Sequence, residues 1–255
     1  MIVFENIYKS FGSKKVLDGV SFTVQTGEIL FILGKSGMGK SVTLKNLVGL
    51  LKPESGKVKV DQYTVNELQE DKLSEVRKIC GMVFQHPALL DSLTNYQNVA
   101  FGLQEWTQDK ARQRVLECLK LVHLDESILL KKPPEISYGM QKRVSIARTI
   151  APGPRYLLFD EPTTALDPIT TNAINDLILE LSRTLKVTSL VVSHDMGCAM
   201  KIADRILVLD QGKILALGTV EEIKKHPAPL IQDFLSEALS PPAHLARDND
   251  TSSVV

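Results

Sequence analysis

The chain has 255 residues, 44% of them hydrophobic and 24% charged, which is the balance of a folded protein and too apolar for a disordered one. Its 30 Lys and Arg residues are cancelled by 30 Asp and Glu residues, so the global basic field of a nucleic-acid-binding protein is absent and no nucleic-acid partner is expected. The longest apolar run, residues 29–33, is far short of the ~20 residues that a membrane-spanning helix needs.

The first residues, MIVFENIYKS, lack a basic stretch followed by an apolar one, so a soluble, cytoplasmic protein is expected. Cys80, Cys118 and Cys198 are widely spaced with no CxxC pair, and are predicted to be buried free thiols.

In chain order, residues 2–4, 20–24 and 29–33 read as strands, rich in β-branched and aromatic side chains and separated by breaks at Gly12, Gly19 and Gly27. A Gly-rich loop, 34–39, precedes a helix whose buried face is Leu44, Leu47, Val48 and Leu51, stopped by Pro53, Ser55 and Gly56. Residues 57–65 read as a short strand pair. From about 86 to 153 the pattern is mostly helical: Val115, Leu119 and Val122 share one face, and Val144, Ala147 and Ala151 another. Beyond Pro154, residues 156–159 and 189–192 suit buried parallel strands, with a helix between them marked by Ile174, Leu177, Ile178, Leu181 and Leu185. The expected fold is therefore α/β, with a helical insert at about 86–153 between core segments 1–85 and 154–239. Residues from Ser240 onward are polar and aperiodic and read as a flexible tail.

Residues 34–41, GKSGMGKS, fit GxxxxGK[ST] between an apolar strand and an amphipathic helix. Glycines let the backbone curl round an anion, and the following helix adds its positive end. Gly34, Ser36, Gly37, Met38 and Gly39 are the expected cradle, with Val42 just beyond it; Lys40 would reach the β- and γ-phosphates and Ser41 would ligate Mg2+. The carboxylate such a site needs is supplied after residues 156–159 by Asp160, which is placed to hold Mg2+. Glu161 follows and could polarise an attacking water.

With these motifs in hand, the chain resembles an ABC-type ATPase from about residue 2 to 218. Residues 136–143, ISYGMQKR, look like the family signature; Thr164, Ala165, Leu166 and Asp167 look like the D-loop; Ser193, His194 and Asp195 carry the switch histidine; Gln85 matches the Q-loop; and Phe11 is similar to the aromatic that stacks on adenine. The resemblance implies a P-loop NTPase core with a mixed sheet, an N-terminal antiparallel β-subdomain and an inserted helical subdomain. It implies ATP and Mg2+ as ligands, with Gln85 touching Mg2+ and His194 contacting the γ-phosphate. It also implies that Ser137 and Gly139 complete the site of a partner chain and that Asp167 reaches across a head-to-tail homodimer. Ser137 also suits a helix N-cap, which uses the same orphan donors. Two departures stand out: Tyr138 replaces the first signature glycine and Met140 its usual glutamine, and Tyr138 could slow hydrolysis by crowding the closed interface.

The family likeness further implies a separate transmembrane permease and a position on the cytoplasmic face of a bacterial inner membrane. Residues 138–143 with 166–170 are most similar to the ATPases of MCE (mammalian cell entry) phospholipid transport systems of the maintenance-of-lipid-asymmetry type. That implies an MCE-domain lipid-binding partner and small accessory subunits. An amino-acid or other small-solute importer ATPase is the alternative, and a nucleotide-binding regulatory module with little hydrolysis is a third. The tail after Ser240 would be a disordered end or a dimer clasp.

Overall fold

The computed structural model describes residues 1–239, so the tail expected from Ser240 onward lies outside the described residues. The core is a six-stranded mixed sheet in the order β10-β9-β3-β8-β7-β6, built from β3 (Ile29–Leu33), β6 (Cys80–Val83), β7 (Tyr156–Asp160), β8 (Thr188–Ser193), β9 (Arg205–Asp210) and β10 (Lys213–Thr219). Strands β6, β7, β8, β3 and β9 run parallel, and β10 turns back antiparallel. A second, four-stranded antiparallel sheet has the order β2-β1-β4-β5, from β1 (Ile2–Phe11), β2 (Lys14–Val24), β4 (Ser55–Val60) and β5 (Tyr63–Thr64).

Every residue of β3 and β7 is buried, as expected of parallel strands covered on both faces. Their side chains alternate between two cores. Leu30, Ile32, Leu158, Leu190 and Leu207 pack with Phe4, Val24, Val58 and Val60 of the antiparallel sheet and with Leu44 and Leu47 of α1 (Lys40–Leu47). Ile29, Phe31, Leu157, Phe159 and Ile206 face the helical layer instead. Burying each large apolar side chain contributes roughly 1.5–3 kcal/mol, so this three-layer arrangement fixes the register of the sheet.

The edge strand β6 is preceded by α2 (Glu70–Ile79). The helical layer begins with α3 (Asn95–Ala100), α4 (Gln108–Leu121) and α5 (Tyr138–Ile150), the segment expected to be helical. It continues with α6 (Pro168–Thr184), α7 (Met196–Ile202), α8 (Val220–Lys224) and α9 (Pro229–Leu239). The expected face Val115, Leu119 and Val122 is buried on and just after α4, and Val144, Ala147 and Ala151 on and just after α5.

Several boundaries differ from expectation. α1 ends at Leu47 rather than near Leu51, because Gly49 adopts φ 68 and the Leu50 and Leu51 amides turn back to the Lys45 carbonyl. Gly19 lies inside β2 instead of breaking it, between residues whose pairing with β1 is irregular. The expected pair at 57–65 is β4 and the two-residue β5, after which residues 65–67 make a turn of 3-10 helix.

Candidate functional site

Four neighbouring parallel strands end on one edge, and each delivers one element of the site there. Register pairs Leu33 of β3 with Ser193 of β8, and Val192 of β8 with Asp160 of β7. The Gly-rich loop therefore leaves β3 beside His194, which follows β8, and beside Glu161, which follows β7; Gln85 lies two residues beyond β6. Ligands bind at this carboxyl edge in open α/β sheets.

The loop's shape depends on two glycines. A β-carbon on Gly34 would lie 2.6 Å from the Leu209 carbonyl oxygen, and one on Gly39 would lie 2.7 Å from that of Val16. Gly39 also takes φ 98 immediately before α1, a conformation that L side chains rarely adopt. Lys40 is buried, and its Nζ donates to the carbonyls of Gly34 at 2.7 Å and Lys35 at 3.2 Å. The same ammonium stands 3.2 Å from Glu161 Oε1. Glu161 Oε2 is 2.8 Å from His194 Nδ1 and accepts from Thr164 Oγ1 at 3.3 Å. Glu161 itself has φ 47, a strained backbone fixed by its amide donating to the Val192 carbonyl at 3.0 Å. Ser41 Oγ donates to Asp160 Oδ1 at 2.7 Å.

These groups open onto a cavity of about 820 Å3. Of the residues singled out in the sequence, Phe11, Ser36, Gly37, Gly39, Lys40, Ser41, Val42, Gln85, Glu161 and His194 line it. Gly34, Met38 and Asp160 do not, although Gly34 and Asp160 are tied to lining residues by the hydrogen bonds just given. Lys35 of the loop and Thr164 of the D-loop segment line it as well; Lys14, Val16, Phe234 and Glu237 also line it and were missed. Lys14 is the most telling of these: its ammonium stands 3.6 Å from where a β-carbon on Gly37 would sit, a second cation over the loop.

Ser137, Gly139 and Asp167 gather elsewhere. Ser137 caps α5, which starts at Tyr138, its hydroxyl accepting from the Met140 amide at 3.3 Å. Asp167 caps α6: the Thr170 hydroxyl donates to its Oδ2 at 2.5 Å and the Thr170 and Ile169 amides to its Oδ1 at 3.0 Å each, and these bonds hold its carboxyl below the usual range. A β-carbon on Gly139 would lie 3.1 Å from the Thr170 methyl, so the two helix starts adjoin. None of the three lines the cavity. The three cysteines are buried free thiols, and burial pushes Cys80 and Cys198 up to about 12 and Cys118 to about 11.

Chemically, a nest of amides at a helix start with buried and rim ammonium groups suits a polyphosphate. A phosphate-binding loop between β3 and α1, facing a carboxylate pair at the end of β7, defines a P-loop nucleotide hydrolase. The ABC transporter family profile matches residues 17–164, and the chain belongs to that family as an ATP-binding, ATP-hydrolysing domain. It is 39% identical over 246 residues to the methionine import ATP-binding protein MetN of Carboxydothermus hydrogenoformans, covering 94% of this chain and 73% of that one. It is 35% identical over 258 residues to the probable ribonucleotide transport ATP-binding protein mkl of Mycobacterium leprae, covering 99% and 74%. Among solved structures, it is similar to the dimeric post-hydrolysis ATP-binding cassette MJ0796 bound to ADP and Pi, with TM-score 0.79, 34% identity and coverage of 86% and 99%. It is also similar to cbiO1 from Clostridium perfringens, with TM-score 0.82, 28% identity and coverage of 92% of each chain.

Proposed function

We propose that the chain is the ATP-hydrolysing motor of an importer, working as a head-to-tail homodimer on separate transmembrane permease subunits at the cytoplasmic face of the membrane. The observation that carries this is the convergence of Lys40, Ser41, Gln85, Glu161 and His194 on one cavity. Residues 1–239 would form the nucleotide-binding domain, with residues 86–153 as its helical subdomain. No helix of the described residues is long and apolar enough to cross a membrane.

In this reading Phe11 stacks on adenine and Lys40 holds the β- and γ-phosphates with the amides of 34–39. The hydroxyl of Ser41, the carboxylate of Asp160 and the amide of Gln85 are the hard oxygen donors that suit Mg2+, which keeps few protein ligands and several waters. When bound, Mg2+ would neutralise charge on the phosphate oxygens. Glu161 takes the proton of an attacking water, and His194 contacts the γ-phosphate. Ser137, Gly139 and Asp167 serve the partner's nucleotide. Ile169, beside Asp167, is 83% exposed, which supports a contact surface there.

The relatives named for methionine import favour a small-solute importer over phospholipid transport. The phospholipid reading, with an MCE-domain protein and accessory subunits, is supported by the segments YGMQKR at 138–143 and LDPIT at 166–170 alone. Affinity purification from detergent extracts of the native host separates them. Recovery of a permease with a small-solute-binding protein is expected; recovery of an MCE-domain protein would overturn the small-solute reading, and recovery of no membrane protein would overturn the motor role.

A further inference from the structure

Helix α5 grips the chain after β6 by its main-chain carbonyls. Lys142 Nζ donates to the carbonyl of Gln85. Arg148 donates to the carbonyls of Pro87 at 3.1 Å and Ala88 at 2.8 Å, and Thr149 Oγ1 lies 3.4 Å from that of Met82. Ala88 takes φ 49, so this segment follows a path that the chain alone would not favour and that the α5 donors fix.

Lys142 is the unusual member. It is 1% exposed, and among the described residues its ammonium meets no carboxylate. Its other partner is the face of Tyr138, one helical turn earlier, with Nζ 5.8 Å from the ring centroid. The Tyr138 hydroxyl in turn stands 3.3 Å from His86 Nδ1, next to Gln85. A buried ammonium with no counter-charge is costly, and an apolar side chain of similar size would ordinarily suit the core as well or better. Packing alone therefore gives no reason for it.

We propose that Lys142 and Tyr138 are positioning residues that set the backbone of Gln85 and so aim its side chain into the nucleotide cavity. Tyr138, the departure from the signature, is then the π face that makes a buried lysine tolerable at 142; a glycine there would leave the ammonium only the Gln85 carbonyl. The latch spans α5 from Ser137, its N-cap, to the cavity wall, so one rigid helix joins the surface proposed to serve the partner's nucleotide to the chain's own Gln85.

This inference rests on the role of Gln85 proposed above, and steady-state ATP hydrolysis of full-length variants tests the two separately. Lys142→Met is expected to lower kcat by about tenfold with little change in KM for ATP, because the cavity keeps its phosphate donors while Gln85 loses its anchor. Tyr138→Leu is expected to act in the same direction, and Tyr138→Phe, which keeps the ring face, to recover most of the loss. If Lys142→Met does not fold, the Tyr138 pair decides the matter. Gln85→Ala slow while Lys142→Met and Tyr138→Leu hydrolyse like the parent would overturn the latch. Gln85→Ala hydrolysing like the parent would overturn the role of Gln85, and the latch with it.

Discussion

Asp61 shows at the scale of one residue how the antiparallel sheet is fastened to β7 of the core sheet. It follows β4, yet its Oδ1 accepts from the Tyr156 hydroxyl of β7 at 2.5 Å and from the amino terminus at 2.9 Å, while Oδ2 meets Arg155 at 2.9 Å. Burial alone would raise its pKa, but the Tyr156 hydrogen bond, the terminal amine and Arg155 outweigh it and hold the carboxyl below the usual range. A depressed carboxylate stabilises the fold above its unfolded value near 4 and loses that contribution as pH falls through its folded value. Asp61→Asn is therefore expected to cost about 1–3 kcal/mol at neutral pH. In denaturant melts the gap should hold above about pH 5 and close below about pH 4; a gap independent of pH would contradict this account.

The same scale shows which site residues could be read from sequence. Lys40, Ser41, Asp160, Glu161 and His194 sit in contiguous motifs, each just after an apolar strand, so chain order alone marks them. Lys14, Phe234 and Glu237 reach the cavity because the fold carries them there. Nothing in the spacing of Phe234, on α9, points to a loop 200 positions away. Only the second cation, Lys14, had a local signal, a basic pair three residues beyond Phe11.

Among the elements, strands with both faces buried were legible and edges were not. The apolar runs at β3, β7 and β8 fall where expected because both faces are covered, which makes the middle of each strand apolar. β1 and β2 run longer than their apolar cores because pairing continues into polar residues, as at Ser10 with Lys15. α2, α7 and α8 escaped notice, being short or polar on much of their surface, whereas the eleven-residue α9, PLIQDFLSEAL, carries an amphipathic pattern that could have been read. Glycines separate into kinds that sequence alone does not distinguish. Gly39 and Gly27 both have positive φ, but only at Gly39 would a β-carbon meet backbone, whereas at Gly27 it meets open space. Gly27→Ala is expected to cost about 1 kcal/mol from backbone strain. Gly39→Ala should cost about 2–4 kcal/mol, with loss of ATP binding as the loop shifts. Equal melting temperatures for the two variants would contradict the shape argument for the loop.

For the whole molecule, 30 basic residues balance 30 acidic ones, and no helix among the described residues is long and apolar enough to cross a membrane. Two cores cover opposite faces of one sheet, and its carboxyl edge holds the loop, both acidic residues and His194 within a few ångströms. As it stands, Glu161 is engaged by Lys40 and His194, which are also the groups proposed to meet phosphate. A triphosphate would compete for both and free the carboxylate for water, so binding itself would prepare the base. Glu161→Gln, assayed for ATP turnover and for ATP-dependent dimer mass by sedimentation, tests this most directly. The account predicts retained ATP binding, a dimer that accumulates with ATP, and turnover reduced by about 10²–10⁴-fold. Parental turnover in that variant, or a monomer at saturating ATP, would contradict it.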